Sequence, residues 1–100
     1  MNTVNLSSLV STPAGRSIAY NLSDLEEGDY ALIPDKTGKT RILRKTPSKG
    51  TDFYKYLHTA NIPFEKISKS GLLPSYTVEL NASPIGSDSQ EYENALVFSV

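Results

Sequence analysis

Ile18, Tyr20 and Leu22 alternate with Ser17, Ala19 and Asn21. A period of two predicts a strand with one wet face, because successive strand side chains point to opposite sides. Tyr76, Val78 and Leu80 alternate in the same way with Thr77, Glu79 and Asn81. Over residues 28–34 both faces are apolar, with Tyr30 and Leu32 on one and Ala31 and Ile33 on the other. The run Ala95-Leu96-Val97-Phe98-Ser99-Val100 is built likewise. These two segments are expected as central strands, covered on both sides. Val4-Leu6 and Leu9-Val10 are out of phase, so a strand there is expected to be short or bulged. Turn signals at Thr12-Pro13-Ala14-Gly15, Pro34-Asp35-Lys36-Thr37-Gly38, Pro47-Ser48-Lys49-Gly50 and Pro84-Ile85-Gly86 punctuate the chain in the manner of short strands.

One segment reads as a helix. Phe53, Tyr56, Leu57 and Ala60 fall at i, i+3, i+4 and i+7, an apolar stripe of helical period. Thr51 or Asp52 can cap its first turn, and Asn61 and Pro63 can end it. The expected fold is therefore mainly β: a small antiparallel sheet, or an OB- or SH3-like barrel, of five to seven short strands with one helix near residues 52–60. The whole of residues 1–100 is expected to form a single compact domain. Residues 82–93, which offer almost nothing to bury, are expected as a mobile loop.

Charge is segregated along this pattern. Residues 1–35 sum to −4, residues 36–69 to +7 and residues 70–100 to −4. Nine of the ten basic residues thus sit in the middle third. Pro34-Asp35-Lys36-Thr37-Gly38-Lys39 reads as a turn leading into a strand at residues 40–46. Arg41, Leu43 and Lys45 would share one face of that strand, and Thr40, Ile42 and Arg44 the other. With cations on both faces it is expected at an edge or rim. Cations beside an accessible ring suit single-stranded nucleic acid, since the cations neutralise phosphates and the ring stacks on bases. The candidate contacts are Lys39, Arg41, Arg44, Lys45, Lys49 and Lys55 for phosphate, with Tyr54 for stacking. The alternative is a protein-interaction module, such as a small inhibitor or an accessory subunit of a larger assembly. A homo-oligomer paired through the C-terminal strand is a further expectation.

Several chemistries find no support. Lys36-Thr37-Gly38-Lys39-Thr40 echoes a phosphate-binding loop, but Ile33 stands where its first glycine belongs. His58 is the single histidine and there is no cysteine, so thiol chemistry, disulfides and cysteine-based zinc sites are excluded. No enzyme activity, metal or cofactor is expected. The 100 residues, 38% hydrophobic and 21% charged, have the make-up of a globular chain. No apolar run approaches the roughly 20 residues that span a bilayer, and the opening residues lack the apolar core of a secretory signal. A cytoplasmic chain without membrane contact is the expectation.

Overall fold

The computed structural model describes residues 2–21, 25–26, 28–45, 55–70, 73–80 and 91–100. Among these the chain is mainly β. Its elements are β1 (Asn2–Asn5), a 3₁₀ turn (Leu6–Ser8), β2 (Val10–Asn21), β3 (Tyr30–Pro34), β4 (Lys39–Lys45), β5 (Lys55–Pro63), α1 (Phe64–Ser70), β6 (Thr77–Leu80) and β7 (Glu91–Ser99). Five strands form one antiparallel sheet in the order β2-β7-β3-β4-β5, and β1 pairs with β6 in a two-stranded ribbon.

The two segments that are apolar on both faces lie inside the larger sheet, as their pattern requires. β3 sits between β7 and β4, and β7 between β2 and β3. Tyr30 and Leu32 enter a core with Ile42, Phe98, Val4, Val78, Phe64 and Ile67. The β1–β6 ribbon and α1 therefore cover that face. Ala31 and Ile33 point the other way, into a second cluster with Leu25, Leu43, Ala95 and Val97. The N-terminal strand is short, as its broken phase implies, and ends in the 3₁₀ turn capped by the Asn5 side chain.

The hairpin between β3 and β4 is built by its own sequence. The Asp35 carboxylate accepts from the Thr37 N–H, the Thr37 hydroxyl and the Lys39 N–H, each at 2.8 Å. Gly38 closes the turn at φ +85°, a left-handed conformation that costs glycine little.

The helix lies elsewhere than the sequence suggests. Residues 55–60, expected in a helix over 52–60, are strand β5, and the helix is α1, beginning after Pro63. A short apolar run fits both periods, and here pairing decides: Leu43 faces Leu57, Ile42 faces His58 and Arg44 faces Tyr56 across the ladder. β4 is also not an edge strand, because β5 covers its outer side. In the C-terminal strand, Leu96, Val97 and Phe98 lie between β2 and β3, which leaves that stretch no free edge for a second copy. Of the loop expected at 82–93, residues 82–90 lie outside the described residues and 91–93 belong to β7.

The end of β5 is irregular. Lys39 pairs with Pro63 but Thr40 pairs with Ala60, so Asn61 and Ile62 form a two-residue bulge. The buried Thr40 hydroxyl donates to the Ile62 carbonyl at 2.8 Å. The Phe64 N–H donates to the Gly38 carbonyl at 2.8 Å. These bonds tie the bulge and the helix start to the β3–β4 hairpin.

Candidate functional site

The expected basic surface is divided by the sheet. Lys39 begins β4 and Lys45 ends it, a separation of about 20 Å at strand rise. Arg41 alternates onto the face of Ile33 and Leu43, while Arg44 lies on the face of Tyr30 and Ile42. Both arginines are half-buried. Lys39, which is exposed, shares its end of the strand with Asp35. Desolvation opposes the charged form of Asp35, but its bonds from Thr37 and Lys39 and the nearby charge of Arg41 together hold its pKa below the ordinary value. An anion of the fold thus already faces the cations at this end.

At the other end, Lys45 and Lys55 are direct cross-strand partners. Arg44 stands one residue inward, its guanidinium carbon 5.4 Å from the centre of the Tyr30 ring, within the range of a cation–π contact. Its Nε is buried without a hydrogen-bond partner. Acids enter here too. Asp29 precedes Tyr30, and burial, then the charge of Glu26, raise its pKa. Lys49 and Tyr54 lie outside the described residues. The structure therefore brings Arg44, Lys45 and Lys55 to one end of the sheet, and sets Lys39 and Arg41 apart from them.

A groove lies apart from every described candidate residue that the sequence offers. The bulge of β5, one side of α1 and residues 73–76 surround a cavity of about 360 Å³. Ile62, Pro63, Ile67, Leu73, Pro74 and Tyr76 make its walls apolar. Tyr76 is 40% exposed, a large ring left in water beside an apolar hollow. The local reasons are plain. The bulge turns Ile62 inward while leaving Asn61 at the surface. Residues 73–76 are fixed where the Leu6 N–H donates to the Tyr76 carbonyl at 2.9 Å. Phe64 and Ile67, one helical turn apart, anchor α1 on the core.

A second hollow of about 400 Å³ lies across α1, between the β3–β4 turn and Asn94. Its hydroxyls are engaged within the fold: Thr37 Oγ1 donates to Asp35 and Ser68 Oγ to the Glu65 carbonyl. Among the described residues no group of three His, Cys, Asp or Glu side chains is placed to hold a metal ion. No helix there is long and apolar enough to cross a membrane. No protein-family model, curated protein or solved structure matches this chain.

Proposed function

We propose that this chain is a small non-catalytic binding module that docks on a partner protein through the groove beside α1. The observation that carries this reading is the combination of an open apolar hollow with the exposed Tyr76 ring. Aromatic side chains at the rim of apolar hollows are the usual anchors of protein interfaces. The division of the basic residues between two faces and two ends of β4 supports docking over a continuous phosphate track. His58, the single imidazole, faces Ile42 within the sheet, a setting that favours packing over catalysis.

One observation favours nucleic acid as a second reading. Lys45 and Lys55 are paired positions of the β4–β5 ladder, which sets two basic residues side by side along the sheet, a placement suited to phosphate. Lys49 and Tyr54 belong to the segment that joins them in sequence.

One pair of measurements tests both. A random peptide library is selected on the whole protein and on Tyr76→Ala, and anisotropy is read with a labelled single-stranded oligonucleotide at low salt. Peptides that bind the parent and lose affinity on Tyr76→Ala support docking. Oligonucleotide binding that falls with salt and with Lys45→Ala/Lys55→Ala, yet ignores Tyr76→Ala, replaces it with the second reading.

A further inference from the structure

Among the described residues that line the groove, one is charged: Lys66, from α1. The remaining helix charges, Glu65 and Lys69, pair with each other in solvent, with side chains 73% and 75% exposed. Lys66 has no ion pair among the described residues, so the hollow presents apolar surface beside one uncompensated ammonium.

Two further features limit what fits. Pro63 and Pro74 line the groove and have no backbone N–H to offer. A ladder of main-chain bonds, as in strand addition, is therefore interrupted at both prolines, which favours recognition through side chains. The volume, about 360 Å³, lies at the low end of the range for ligand pockets, about 300–1,000 Å³. It accommodates a side chain or two and excludes a packed helix. Asn61, exposed on the bulge and lining the groove, adds a carboxamide that can both donate and accept.

We propose that the groove takes an extended acidic segment of a partner protein, with an aliphatic or aromatic side chain seated against Ile67 and Leu73 and a neighbouring carboxylate on Lys66. This inference rests on the docking reading above and names the chemistry of its partner. A charge-assisted bond to Lys66 would fix the register of the segment, and the apolar seat would supply most of its affinity.

The probe is a random octapeptide library displayed on phage and selected on the immobilised whole protein, followed by anisotropy with the selected peptides. The expected peptides pair an apolar residue with Asp or Glu one or two positions away. Their affinity should fall about tenfold or more on Lys66→Glu, weaken with salt and survive on Lys66→Arg, which keeps the charge. Lys66 is exposed, so the variants should melt with the parent in circular dichroism. Peptides sensitive to Tyr76→Ala that are neutral or basic, or indifferent to Lys66→Glu, would overturn the acidic partner and leave docking intact. Selection of no Tyr76-sensitive peptide at all would overturn docking itself.

Discussion

Replacing Thr40 by valine exchanges one hydroxyl for a methyl group of nearly the same volume, at a position with no solvent exposure. The lost oxygen is the donor to the Ile62 carbonyl, 2.8 Å away and buried, inside the two-residue bulge that shapes the groove. No cavity opens, so the cost is that of a buried carbonyl deprived of this donor, about 1–3 kcal/mol. Each kcal/mol lowers the melting temperature of a domain this size by about 4–8 °C. Thr40→Ser keeps the donor and drops one methyl group, which predicts a smaller loss of about 0.8 kcal/mol. Urea denaturation followed by circular dichroism should therefore rank the parent above Thr40→Ser, and Thr40→Ser above Thr40→Val. A Thr40→Val protein as stable as the parent, or more stable than Thr40→Ser, would refute the account of the bulge as held by this bond. Loss of groove-binding peptides on Thr40→Val, at a temperature where it is still folded, is the matching functional expectation.

Other consequences are shorter to state. Gly38→Ala meets no atom within 4 Å of its new Cβ, so its cost should be conformational only, about 1–2 kcal/mol in thermal or urea unfolding. Asn94 holds φ +57° inside β7, a region that asparagine tolerates and β-branched residues resist. Asn94→Ile should destabilise despite its higher strand propensity, while Asn94→Gly should unfold close to the parent. Asp29 has a pKa raised by burial and by Glu26. The folded state then binds its proton more tightly than the unfolded one, so stability falls as pH rises through the window between the two values. Asp29→Asn should flatten that part of the stability–pH profile and leave the neutral protein no less stable.

The parts of the fold legible in the sequence are those fixed by local chemistry. Pro34-Asp35-Lys36-Thr37-Gly38 announced its turn because the Asp35 carboxylate and the left-handed Gly38 do the folding there themselves. β3 and β7 announced their central place because both faces are apolar. Residues 55–60 carry both patterns, because Tyr56, Leu57 and Ala60 satisfy a helical stripe as well as a strand. Only β4, paired along its length, distinguishes the two. The true helix had signals of its own. Proline is favoured at the entry to a helix, Phe64 and Ile67 are spaced i, i+3, and Glu65 and Lys69 are spaced i, i+4. The groove left no trace in the sequence because three separate segments converge to form it, through a bulge that no local pattern specifies.

The pairing of β4 with β5 also decides the setting of the cations, and at Arg44 the difference can be measured. On an exposed edge its charge would belong to solvent and to any polyanion. In an interior strand it sits half-buried over the Tyr30 ring, opposite Tyr30 on one side and Tyr56 on the other. The ring contact is worth about 0.5–1 kcal/mol when exposed and about 2 when desolvated, and the aliphatic stem adds packing of its own. Arg44→Ala should therefore lower the urea midpoint by the equivalent of about 1–2 kcal/mol with an unchanged slope. Arg44→Lys should recover only part, since a compact ammonium cannot lie flat on the ring. If Arg44→Ala unfolds with the parent, the guanidinium contributes nothing to the sheet. It would then be counted with Lys45 and Lys55 as charge held ready for a phosphate.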